Sequence, residues 1–162
     1  MFNNILSFLA GAAGSSVPGN FDKLQVAVAA LLVHAATMDD TFDAVERLTI
    51  ERLLGERFGL APDAVGRLLV KAERQADESS QLYPFTRIAI ERLDNAGRVL
   101  VIEMLWEVAY ADGVLHPDED ALVRRLAGLL YVSDYDRGEA KKRVLARVGA
   151  NARKDEDLEG LF

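Results

Sequence analysis

The sequence predicts an all-α protein, a compact bundle of about seven or eight helices with an internal pseudo-twofold duplication. Three observations carry this. Pro is scarce, at 4 of 162 residues, and the helix formers Leu, Ala, Arg and Glu dominate. The apolar runs are too long for strands and lack their alternation. Finally, a stretch of the first half returns in the second half, 73 positions later.

Taken in order, residues 1–12 (MFNNILSFLAGA) place Phe2, Ile5, Leu6, Phe8 and Leu9 at spacings that suit a short amphipathic helix. Residues 14–20 (GSSVPGN) read as a linker. Asn20 is the expected N-cap of a helix running to about Met38. From Val26 to Val33 that helix is apolar on every side, so it belongs in the interior. His34, at its edge, is expected to be packed and hydrogen-bonded. Asp39 and Asp40 end the helix in a turn. Asp43 then caps a helix to about Phe58, with Glu46 three residues later at capping-box spacing, and Gly59 stops it.

Pro62 opens the next helix, to about Asp77. After a loop at 77–82, Pro84 starts a short helix ending near Leu93. Asp94 caps a second all-round apolar helix, Gly97 to Ala111, interrupted by Arg98, Glu103 and Glu107. Gly113 turns the chain, His116 and Pro117 start a helix to about Tyr131, and Ser133 or Asp134 caps a last helix to about Gly149. The expected organisation is a short helix and linker at 1–19, a helical domain at 20–149 and a polar, frayed tail at 150–162.

The duplication rests on a gapless alignment of 26–74 with 99–147. Identical pairs are Val26/Val99, Val28/Val101, Leu32/Leu105, Ala36/Ala109, Asp39/Asp112, Glu46/Glu119, Arg52/Arg125, Leu53/Leu126, Gly55/Gly128, Asp63/Asp136 and Arg74/Arg147. Two units are too few for a solenoid. They suit a bundle in which Val26–Val33 packs against Val99–Tyr110, since neither helix has a polar face to show to water.

Composition narrows the function classes. The net charge of −7 repels phosphate backbones, so nucleic acid is not an expected partner. Metal ions and cationic protein surfaces are more compatible, and a protein partner is expected. Without Cys there is no disulfide, thiolate metal site or Cys nucleophile, which fits a cytoplasmic location. Residues 1–12 lack the basic start of a signal peptide and are too short to span a bilayer. At most they make a peripheral contact at the inner face of the membrane. The basic run at 137–154 reads as a solvated outer helix face. Trp106 and Tyr110, at i,i+4 on the buried helix, read as core packing. The oligomeric state is left open.

The chemistry concentrates in the turn Ala109-Tyr-Ala-Asp112-Gly113-Val-Leu-His116-Pro117-Asp118-Glu119 and its copy Ala36 to Glu46. Glu119 sits in a first helical turn, where the macrodipole favours a carboxylate. Asp112 sits at a helix end, where a carboxylate is disfavoured unless something positive faces it. If the two turns meet, their acids and His116 form a crowd that calls for a cation, and carboxylate oxygens suit Ca²⁺, Mg²⁺ or Mn²⁺. The other reading is two helix–turn–helix corners whose acids are solvated. An EF-hand is excluded, because Asp112 to Glu119 spans eight residues where that loop needs twelve. His116-Pro117-Asp118 matches the J-domain tripeptide but has no J-domain around it. Phosphate loops, dinucleotide fingerprints and nucleophile elbows are absent from the sequence.

Glu107-Val-Ala-Tyr-Ala-Asp-Gly-Val-Leu-His-Pro-Asp-Glu119, the upstream copy, Gln81-Leu-Tyr-Pro-Phe-Thr-Arg87 and Leu105-Trp-Glu-Val108 together resemble the TerB-like, tellurite-resistance-associated family in its single-domain branch. The resemblance spans about residues 20–149. It implies an all-α duplicated fold, a role in stress response or tellurite resistance, and acidic residues that chelate metal. By position these are Asp39, Glu46, Asp112 and Glu119, with Asp43 and His116 at the equivalent cap positions. The first turn departs from the pattern, with Asp40 where Gly113 has its counterpart, and Asp takes the left-handed conformation less readily. The expectation is a non-enzymatic module binding a divalent cation, a protein partner or both through its acidic turns. The alternative is a metal-assisted hydrolase or phosphate-handling enzyme built on the same carboxylates.

Overall fold

The computed structural model describes residues 21–37, 44–79, 81–113 and 115–159, with side chains to 148. Among these residues there are seven helices and no strand. They are α1 (Lys23–Ala36), α2 (Ala44–Phe58), α3 (Pro62–Glu78), α4 (Tyr83–Arg92), α5 (Asn95–Ala109), α6 (Pro117–Leu129) and α7 (Asp134–Glu159).

Most of the described helix starts carry a local signal. The cap of α1 is Asp22 rather than Asn20, which lies outside the described residues. The Asp22 carboxylate accepts from the Leu24 amide at 2.8 Å, and Gln25 Oε1 accepts from the Asp22 amide at 3.2 Å. This reciprocal box is a stronger start signal than a lone Asn. Asp94 caps α5 by accepting from the Gly97 amide at 2.8 Å, so α5 begins two residues earlier than its apolar run suggests. Ser133, not Asp134, caps α7, its hydroxyl accepting from the Asp136 amide. Pro62 and Pro117 open α3 and α6. The last helix continues to Glu159, ten residues past its expected end near Gly149.

The two apolar helices form the centre. Every residue of α1 except Lys23 and His34 is buried, and α5 is buried along most of its length. They pack on one another. Further contacts of α1 are with α2, α3 and α4, while α5 is covered mainly by α7, with α6 beside it. The outer helices are amphipathic. Ile50, Leu53, Leu54 and Phe58 of α2, and Val65, Leu68, Leu69 and Ala72 of α3, turn inward at helical spacing.

The buried positions of α2 and α6 correspond at the offset of 73, as Glu46/Glu119, Ile50/Val123, Leu53/Leu126 and Leu54/Ala127. After that the register slips by one. Gly59 closes α2 with φ +62°, and the Leu60 amide donates to the Gly55 carbonyl at 3.1 Å. The same closure on α6 uses Tyr131 (φ +56°), with the Val132 amide donating to the Ala127 carbonyl at 2.9 Å. From there the inward positions match at 72, as Leu68/Ala140 and Ala72/Val144. The pairs Asp63/Asp136 and Arg74/Arg147 of the gapless alignment therefore do not hold equivalent places. The stretch from the buried face to the left-handed cap is one residue shorter in α6 than in α2.

Candidate functional site at the acidic turns

Asp39 and Asp43 lie outside the described residues, and the second turn carries most of what can be described. Here α5 ends with the Tyr110 amide donating to the Trp106 carbonyl, and the Gly113 amide donating to Tyr110 at 2.9 Å. Gly113 has φ +84°, and a Cβ there would meet no atom within 4 Å. Backbone conformation, rather than space, is what requires glycine. The chain then enters α6 with the His116 carbonyl accepting from the Glu119 and Asp120 amides.

This path brings His116 back over the end of α5, with His116 Nε2 3.3 Å from Asp112 Oδ2. Both side chains are partly exposed. A ring nitrogen facing Asp112 at a helix C-terminus is thus available one turn away, from the residue that opens the next helix, and it compensates the carboxylate when protonated. Asp120 is met by cations, Arg124 Nε at 2.9 Å and Lys141 Nζ at 3.5 Å. Glu119 and Glu46 are the more deeply buried carboxylates. Each lies in the first turn of its helix, and they are only 3% and 7% exposed. Among the described residues no group of three or more His, Asp or Glu is arranged to hold a metal.

A second charged arrangement was not anticipated. Glu103 of α5 is 3% exposed, and it is met by Arg147 Nη1 at 2.5 Å and Arg143 Nε at 3.3 Å. Glu107, one turn on, is met by Arg147 Nη2 at 2.6 Å and by Arg52 Nη2 of α2 at 3.1 Å. Burial alone would lower the pKa of Arg147, but hydrogen bonds and charge from Glu103 and Glu107 outweigh it and raise the value. Lys141 lies 5.1 Å from the Trp106 ring centroid. The basic face of α7 is therefore in part an inner face, contrary to its reading as a solvated one. The signal was present in the sequence. Glu103 and Glu107 stand at i,i+4 on an apolar helix, and Arg143 and Arg147 stand at i,i+4 in the basic run.

His34 is half-buried, and its pKa is lowered by burial and then by the nearby charge of Arg125. Trp106 is buried, and its ring centroid lies 6.2 Å from that of Tyr110, as core packing requires.

The fold and these residues define a class, an all-helical module whose two buried helices are each followed in sequence by an acidic stretch. The tellurite resistance protein TerB family model matches residues 25–142, most of the chain, and the protein belongs to that family. Comparison with curated proteins found no match, and neither did comparison with solved structures. No described helix is long and apolar enough to cross a membrane.

Proposed function

We propose that this TerB-family protein is a non-enzymatic module of the tellurite-resistance or stress response, binding a divalent cation, a protein partner or both through its acidic turns. The observation that carries the reading is the burial of Glu46 and Glu119 at matching places in α2 and α6. Taking a carboxylate out of water is costly unless positive charge or donors compensate. Both stand in the first turn of a helix, where the macrodipole already favours a carboxylate, and a bound cation would add to that compensation. The donor chemistry fits Ca²⁺, Mg²⁺ or Mn²⁺, being carboxylate oxygens with His116 as the one imidazole. Among the described residues Asp112, His116, Glu46 and Glu119 do not gather into a set of three or more donors, so a cation would be held by a pair such as Asp112 with His116 or would draw on Asp39 and Asp43, which lie outside the described residues. A metal bound there would supply charge compensation for the carboxylates. A protein partner would meet the same surface through its own cationic side chains.

The test is thermal unfolding of the full chain against millimolar Ca²⁺, Mg²⁺ or Mn²⁺, for the wild type and for Asp112→Asn/Glu119→Gln. Ligand linkage predicts a rise in Tm that grows with ion concentration and is lost in the double variant. A wild-type Tm that ignores all three ions sinks the cation reading.

A further inference from the structure

The corner that closes α6 is built unlike its counterpart on α2. Both take the left-handed conformation, but α2 uses Gly59 and α6 uses Tyr131. A side chain at positive φ is strained unless something offsets the cost. Packing within the molecule does not offset it, because Tyr131 is 72% exposed. Tyr131 lines an open cavity of about 250 Å³ between α4 and the end of α6. Tyr83, 60% exposed, and Ile90 line it from α4, and Gly128 and Leu129 line it from α6. A Cβ on Gly128 would meet nothing within 4 Å. The cavity is therefore open to the α6 backbone one turn before Tyr131, and none of its residues belongs to the acidic turns.

We propose that this face is the contact between two copies of the chain, related by a twofold axis, with each Tyr131 ring filling the space above the partner's Gly128. A projecting ring and a hollow one turn apart on one surface are what an isologous contact needs, since residue i then meets j and j meets i. Charge agrees. The chain carries −7 overall, so two copies approach most easily where the surface is balanced. The charged lining of this cavity is Arg87 and Glu91, paired at 3.1 Å and both more than half exposed. Antiparallel α4 helices would set each Arg87 beside the partner's Glu91, so every charge keeps an opposite neighbour across the contact. The groove between α2 and α3 has no such balance. It holds Glu51 and Glu56 against Arg52, and pairing it with itself would gather four acids around two arginines. Area sets the strength. The free parts of Tyr83 and Tyr131 offer about 250 Å² per copy. With Arg87, Glu91 and the apolar floor the contact reaches roughly 500 Å² per copy and about 1,000 Å² in total, the low end for a specific interface. A reversible dimer, rather than an obligate one, fits that area.

The test is sedimentation velocity of the full chain from micromolar to millimolar concentration. The wild type is expected to show a monomer–dimer equilibrium with a Kd on the order of 10–100 μM. Tyr131→Gly relieves the left-handed strain, so it should keep or raise the melting temperature while weakening association at least about tenfold. A purely structural role for Tyr131 would not separate those two readouts. Glu91→Arg, which sets arginine opposite arginine, is expected to weaken association by a similar factor. Arg87→Glu/Glu91→Arg is expected to restore it, because the exchange across the axis is kept with its signs reversed. Leu48→Ala, on the α2–α3 face, is expected to leave association unchanged. A chain that stays monomeric at millimolar concentration overturns the proposal. So does a dimer indifferent to Tyr131→Gly, one lost in Leu48→Ala, or one that the reversed pair fails to restore.

Discussion

Removing the two arginines that face Glu103 should cost far more than removing Glu103 itself. Arg143→Met/Arg147→Met takes away the donors at 3.3 Å and 2.5 Å and leaves a carboxylate that is 3% exposed against apolar neighbours. Breaking a buried ion pair from one side costs roughly 3–5 kcal/mol. Both arginine side chains are more than 40% exposed, so water follows them in and the expected loss falls to about 2–4 kcal/mol. Glu103→Met puts an apolar side chain of similar length on an apolar helix. Arg143 then returns to water, and Arg147 keeps Glu107 at 2.6 Å. That change should cost about 1 kcal/mol or less. Urea unfolding followed by far-ultraviolet circular dichroism measures both, and thermal melts should show a drop of roughly 4–16 °C for the arginine pair. If Glu103→Met proves as destabilising as the double arginine variant, the asymmetry fails, and with it the claim that α7's basic face exists in part to neutralise α5.

Other expectations follow from the same geometry. Of the three left-handed positions among the described residues, Gly113 and Tyr131 should respond in opposite directions, because one already holds glycine and the other does not. Gly113→Ala, forced to φ +84°, should lose roughly 1 kcal/mol, while Tyr131→Gly should be neutral or gain up to about 1 kcal/mol, since Tyr131 is mostly exposed and gives up little packing; chemical denaturation of each variant measures this. His34 supplies a pH dependence. Its folded-state pKa lies below the ordinary 6.5, so the unfolded chain takes up a proton first as pH falls. The stability tied to neutral His34 is complete above that value and declines as pH drops from about 6.5 toward the depressed value. Stability compared at pH 7.5 and 5.5 should fall less in His34→Gln than in the wild type, and an equal fall in both would contradict the assignment.

Much of the fold was legible because its signals act within a turn or two. Pro62, Pro117 and Asp94 start helices, and Gly59 and Gly113 end segments, by satisfying or sparing backbone groups beside them. The absence of any polar face on 26–33 and its near-absence on 99–110 required both helices to be interior. The capping box at Asp22 and Gln25 is equally local, and its two reciprocal hydrogen bonds outweigh the single side chain of Asn20 as a start signal.

What the sequence by itself determined, then, is the all-helical class, the two buried helices, the placement of most caps and the membership of the TerB family. The tertiary structure decided the rest. Pairing Glu103 with Arg143 and Arg147 joins residues 40 and 44 positions apart, and no local preference can say which face of α7 will meet α5. The change of offset between α2 and α6 shows only in where the buried positions and the left-handed caps fall. The partner for Asp112 came from an intermediate distance. His116 stands only four residues away, yet it reaches the carboxylate only because Gly113 in its left-handed conformation folds the corner back. Caps and periodicity act over a few residues of one strand of chain, whereas the partner of a buried charge is fixed only when two helices choose their facing sides.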